Sequence, residues 1–113
     1  MSAQNKGKKF DIEIDAGADF YLAFRIKDSG GTPRDLTGAT VEAQLREYAE
    51  AKDHFDFVAA HNGEGGWIYL SMPWTETEKI GFTNGDYDVF TVQGDERKKW
   101  LYGKVKVIPS VTR

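Results

Sequence analysis

The sequence has no cysteine, three prolines, two histidines and no apolar run longer than a few residues. Without cysteine there is no disulfide framework, no thiol nucleophile and no zinc site of the thiolate type. An apolar stretch of about 18 residues, the length needed to cross a bilayer as a helix, is missing, and residues 1–9 hold no apolar signal core. The expectation is a soluble, unprocessed chain. Fifteen basic against 18 acidic side chains leave a net charge of -3, which disfavours a general polyanion binder. What is present suits one domain: 113 residues, 40% apolar and 13% aromatic. Such a chain buries roughly two thirds of its unfolded surface without a staple.

Residues 1–9 carry no large apolar side chain and read as a flexible N-terminal arm, with a single domain over 10–113. From Phe10 the chain alternates, with Phe10, Ile12 and Ile14 on one side and Asp11, Glu13 and Asp15 on the other. This period of two is the mark of a half-buried strand. After Ala16-Gly17 it recurs in Phe20, Leu22, Phe24 and Ile26 against Tyr21, Ala23, Arg25 and Lys27. Asp28-Ser29-Gly30-Gly31-Thr32-Pro33 is turn chemistry, and Val41, Ala43 and Leu45 alternate with Glu42, Gln44 and Arg46. Residues 45–52 also fit helical spacing, but strand followed by loop is preferred. Phe55, Phe57 and Ala59 form a short strand ended by Asn62-Gly63, a hairpin signal, with its partner over 67–72.

After Pro73 the period changes. Thr75-Glu76-Thr77-Glu78 has the spacing of a capping box, with Gly81 as a stop, so one short helical turn is expected near 75–80. The strand over 86–93 has apolar residues on both faces, Tyr87 and Val89 against Phe90 and Val92, which implies a doubly covered position. Residues 94–99 read as a charged hairpin tip, and 100–108 as a returning strand. The fold class is therefore all-β: an antiparallel, immunoglobulin-like sandwich of about seven to eight strands.

No constellation points to catalysis, to a cofactor or to a metal. The Asp11/Glu13/Asp15 row and the Asp86/Asp88 pair have the spacing of two-carboxylate chemistry, yet a solvated strand face gives the same pattern. His54 and His61 lack helical i, i+4 placement, no serine lies in Gly-x-Ser-x-Gly, and Gly63-Glu64-Gly65-Gly66 sits between strands rather than before a helix. Basic residues at 6–9 and 97–99 are set against an acidic total, and nucleic acid is not expected as a partner. More informative are the aromatics on nominally polar strand faces: Tyr21, Trp67, Tyr69, Tyr87, Trp100 and Tyr102. Gathered on one outer face they form a contact patch; divided between two sheets they finish the core. Both readings stand at this point. Planar rings such as Trp67, Trp74 or Trp100 also suit a sugar platform, which keeps a carbohydrate-binding module as the alternative.

The order of features resembles a family of small β-sandwich structural proteins of tailed phages and prophages, similar to the N-terminal domain of phage baseplate upper proteins. The residues that carry the likeness are Phe20 to Ile26, Pro33-Arg34-Asp35-Leu36-Thr37-Gly38-Ala39-Thr40-Val41 leading into Gln44-Leu45-Arg46-Glu47, and Ile68-Tyr69-Leu70-Ser71-Met72. The Thr-rich turn Thr75 to Ile80, Gly85-Asp86-Tyr87-Asp88-Val89, and Tyr102-Gly103-Lys104-Val105-Lys106-Val107 ending at Val111-Thr112-Arg113 complete it. One departure is that Asp88 directly follows Tyr87, where the family often has a second aromatic, which leaves the register of 86–93 open. The resemblance implies a non-enzymatic particle component of tail, baseplate or head–tail junction, found in the virion or in host cytoplasm during assembly. Its implied partners are other phage structural proteins and further copies of itself.

Overall fold

A computed structural model describes residues 7–112. The described residues form nine strands, one α-helical turn and one 3-10 turn (Gly63–Gly65): β1 (Lys8–Lys9), β2 (Ile12–Asp15), β3 (Phe20–Arg25), β4 (Thr40–Arg46), β5 (Phe55–Asp56), β6 (Val58–His61), β7 (Trp67–Met72), α1 (Trp74–Thr77), β8 (Asn84–Gln93) and β9 (Glu96–Ile108). They make two stacked sheets, as the alternating pattern predicts. The larger runs β1-β9-β8-β4-β5 with β2 also on β9, and the smaller runs β3-β7-β6. Inward residues of both, among them Ile14, Leu45, Ile68, Leu70, Met72, Val89 and Val105, are almost wholly buried and form one core.

Several expectations are corrected. Lys8–Lys9, expected in the N-terminal arm, instead pair with Leu101 and Tyr102; residues 1–6 of that expected arm lie outside the described residues. The sandwich is not purely antiparallel, since β1 and β2 both run parallel to β9. The tip expected over 94–99 narrows to Gly94-Asp95, with Gln93 already paired to Glu96, so Arg97, Lys98 and Lys99 are strand residues. Strand β8 is central in its sheet, but among the described residues no second layer covers its outer face. Phe90 is shielded there by the Arg97 guanidinium, 3.8 Å from the ring centroid. The open register resolves to Tyr87 opposite Leu45 on one side and Gly103 on the other.

The helical turn lies where the pattern puts it but begins earlier, at Trp74, without the capping box. Its N-cap, Pro73, has no side-chain bond, and the first free N–H, that of Trp74, donates to Asp19 Oδ1 at 2.7 Å. A carboxylate 55 residues away thus does what Thr75 was expected to do. Buried Thr77 completes the junction: its hydroxyl accepts from the Gly17 N–H at 3.0 Å and donates to the Ala18 carbonyl at 2.9 Å. Both connections at this end of the sandwich are locked together.

The two long sides of the sandwich differ. On one, β5 and β6 form a single extended segment that leaves the larger sheet and joins the smaller across Phe57, whose N–H donates to the Ala43 carbonyl at 3.0 Å. The Phe57 ring is buried between Phe20 and Tyr87, at centroid distances of 5.6 and 6.4 Å. That side is closed. On the other, β3 ends the smaller sheet opposite β1, and an open apolar seam of about 450 Å³ runs between them, lined by Phe10, Leu22, Phe24, Ile26, Trp100 and Leu101.

Near the seam, the β3–β4 connection is clamped to the β8–β9 hairpin. Arg34 donates to Glu96 at 2.6 Å, Gln93 at 3.2 Å and Asp28 at 3.3 Å, and Gln93 Nε2 donates to the Asp35 carbonyl at 2.9 Å. Leu36 is thereby held fully buried. Gly66, in the left-handed region at φ 74°, lies so close to this segment that a Cβ there would sit 2.6 Å from the Ile26 carbonyl oxygen.

Candidate interaction surface

The outward faces of the two sheets have different chemistry. In the larger sheet, Glu42, Gln44 and Arg46 of β4 lie beside Asp86, Asp88 and Phe90 of β8, with Lys99, Tyr102 and Lys104 of β9 next. Opposite charges meet across the strands: Lys104 Nζ is 2.9 Å from Asp86, Arg97 3.1 Å from Glu42 and Lys99 3.7 Å from Asp88. The Asp86 carboxylate, by accepting this bond, raises the Lys104 pKa. Asp86 and Asp88, the carboxylate pair singled out in the sequence, are thus each matched with a surface cation. Exposed pairs of this kind contribute little to stability and make a wettable, charge-mixed surface.

The smaller sheet shows the opposite. Its outward residues fall in three cross-strand rows: Tyr21–Ser71–Val58, Ala23–Tyr69–Ala60 and Arg25–Trp67. Only Arg25 is charged, in a chain that is 29% charged, so the row composition departs from the surface average in a single direction. Tyr21 is 67% exposed and Val58 61%. Arg25 is itself held flat, its Nε donating to the Gly65 carbonyl at 2.8 Å with the guanidinium 5.8 Å from the Trp67 ring centroid. Three strands about 4.8 Å apart and some 20 Å long give a face of roughly 300 Å², within the range of the largest apolar patch on a typical monomer.

Of the six aromatics expected on polar strand faces, the fold brings Tyr21, Trp67 and Tyr69 together on this face and buries Tyr87 in the core. It separates Trp100 and Tyr102 from them. Both lie on β9 of the other sheet, and a β-bulge splits even these two: Val89 pairs with Leu101 but Phe90 with Lys99, so Trp100 is an extra residue. Trp100 and Leu101 consequently both turn inward, while Tyr102 faces out, 5.8 Å from Lys99 Nζ. The Trp100 indole N–H donates to Thr91 Oγ1 at 2.8 Å, and the ring is flanked by Arg34 and Lys98 at 5.2 and 4.4 Å. Three of these aromatics therefore share one outer face, while Trp100 packs against the core and Tyr102 lies on the outer face of the other sheet.

Trp67, Trp74 and Trp100, named for a sugar platform, have three different surroundings: the outer face of the smaller sheet, the exposed start of α1, and the seam. His61 serves the structure: Nε2 donates to the Ala39 carbonyl at 2.9 Å and Nδ1 accepts from the Gly63 N–H at 3.0 Å. His54 lies 3.2 Å from Asp56. Among the described residues no three His, Asp or Glu side chains are arranged to hold a metal ion, and no helix is long and apolar enough to cross a membrane. The sequence reading missed the seam, and the signal for it was weak: Phe20, Leu22 and Phe24 alternate like any core strand but remain half-buried.

No protein-family model matches this chain, and no curated protein matches it. Among solved structures the chain is similar to an uncharacterized protein from Bacillus anthracis strain Ames, at 12% identity and a TM-score of 0.38, over 94% of this chain and 79% of that one.

Proposed function

We propose that this chain is a non-catalytic interaction module of a phage or prophage particle, docking on a neighbouring structural protein through the outer face of the smaller sheet. The observation that carries the reading is the contrast between the two outer faces: one laced with matched charges, the other uncharged except for Arg25 and built on Tyr21, Trp67 and Tyr69. Aromatic rings desolvate large areas at low conformational cost, while charges resist burial, so the second face is the one suited to lose its water against a partner. The phage context comes from the order of sequence features that resembles baseplate upper proteins. Tail, baseplate and head–tail neighbours all fit it.

Mass spectrometry of particles purified from a lysogen carrying the gene tests the reading. The chain is expected in the particles, and Trp67→Ala combined with Tyr21→Ser is expected to remove it from them while leaving the melting temperature within a few degrees, because both rings lie on a solvent face. Absence of the unmodified chain from particles overturns the proposal.

A further inference from the structure

Among the described residues the smaller sheet ends in a strand whose outer edge has no partner. Among the described residues β3 pairs only with β7. The Ile26 N–H donates to the Gly66 carbonyl at 2.8 Å, which sets the parity of the ladder: Phe20, Leu22 and Phe24 exchange bonds with β7, and the N–H and C=O groups of Tyr21, Ala23 and Arg25 point away from it. Six backbone groups are thus aimed outward from an exposed edge, beside the apolar seam. Proteins usually blunt such an edge with proline, a bulge or an inward-pointing charge. None of these interrupts Phe20 to Arg25.

We infer that this edge pairs with the same edge of a second copy, antiparallel and centred on Ala23, so that two three-stranded sheets become one of six strands. The register follows from the parity. Within Phe20–Arg25 it is residues 21, 23 and 25 that offer outward hydrogen-bonding groups, and a two-fold arrangement that uses all of them sets Ala23 opposite Ala23 and Tyr21 opposite Arg25. That register is complementary in its side chains as well. Asp19, which also caps α1, stands opposite Lys27 of the second copy at both ends, and Arg25 stands opposite Tyr21. On the inner face Leu22 meets Phe24 and Phe20 meets Ile26, so the half-buried apolar side chains of β3 gain apolar neighbours. Any other two-fold register leaves some of the outward groups unmatched.

The pairing adds to the docking reading above. A single outer face of roughly 300 Å² falls well short of the roughly 800 Å² per partner of a stable interface, and joining two copies at β3 doubles the continuous aromatic surface. The inference does not need that surface to find its neighbour, and the two fail separately. Edge pairing is a property of the pure chain, whereas docking is read from particles.

The test is sedimentation equilibrium of the full chain with two variants. The unmodified protein is expected to dimerise. Ala23→Pro removes an outward N–H without touching a bond to β7, so it is expected to raise the dimer dissociation constant at least tenfold with an unchanged circular dichroism spectrum. Ala23→Cys, the only thiol in the chain, places two sulfurs across an antiparallel pair with Cα atoms about 5.5 Å apart, within disulfide reach. Mild oxidation is expected to give a covalent dimer far faster than an Asp95→Cys control at the exposed hairpin tip. Should Ala23→Pro fail to fold, the cysteine comparison decides. A chain that stays monomeric to about 100 µM overturns the inference, as does a dimer untouched by Ala23→Pro or Ala23→Cys crosslinking no faster than its control.

Discussion

Replacing Gly103 with Ala tests how the N-terminal strand is held. Gly103 lies opposite Tyr87 on one side and against Phe10 on the other, and an added Cβ would stand 2.3 Å from the Phe10 carbonyl oxygen and 2.7 Å from its carbon. Ordinary contact begins at 3.4 Å, so the strand must retreat by about 1 Å. Three hydrogen bonds converge there: Tyr87 Oη to the Phe10 carbonyl at 2.5 Å, the Phe10 N–H to the Tyr102 carbonyl at 2.8 Å and the Lys104 N–H to Asp11 Oδ1 at 2.9 Å. At about 1 kcal/mol each, their loss costs about 3 kcal/mol. The reduced entropy of the unfolded chain offsets up to about 1 kcal/mol of this, leaving a net destabilisation of about 2 kcal/mol. Gly103 does not occupy the left-handed region, so a loss of that size is attributable to the close approach rather than to backbone preference. Urea unfolding followed by tryptophan fluorescence reads the change, and a loss below about 0.5 kcal/mol refutes the reasoning. Tyr87→Phe should be less than additive with it, since both act on one carbonyl.

Tyr87 also sets an alkaline limit. Burial, with the Asp11 charge as a smaller contribution, raises its phenol pKa far above the usual value of 10.0. The group stays protonated in the folded chain after it ionises in the unfolded one, so its stabilisation is complete below pH 10 and is lost as pH rises further. Thermal melts from pH 8 to 11 should show a decline above pH 10 that Tyr87→Phe flattens; parallel curves for the two proteins would contradict this. Trp100→Ala should cost roughly 2–3 kcal/mol in chemical unfolding, below the range for a fully buried ring because the indole lies half-exposed in the seam. Unchanged stability would place Trp100 outside the core. Phe57→Ala, at the point where the chain changes sheets, should cost about 3–5 kcal/mol, and a smaller loss would mean that the closed side is held by backbone bonds alone.

How much was legible depends on how far apart the interacting residues lie in the chain. Alternation is a local property: Ile12 and Ile14, Val41 to Leu45 and Ile68 to Met72 each declare their inner face within a few residues, and each is on that face, whereas 86–93, apolar on both faces, did not. The pairing of Tyr21 with the Trp67 and Tyr69 side of the sheet was within reach of the same reasoning. Trp100 and Tyr102 were not, because the extra residue at the bulge reverses the alternation and nothing in the residues around Trp100 announces it. The cap of α1 was equally hidden, its carboxylate coming from Asp19 in a distant turn.

By itself the sequence determined that this chain is built of short strands with one inward and one outward face, since a period of two follows from the pleat alone. Tertiary structure alone decided which strands share a sheet, that β1 and β2 run parallel to β9, that Phe57 closes one side and that β3 leaves the other open. Those outcomes rest on contacts between residues tens of positions apart, where the geometry of the whole sandwich selects the neighbour.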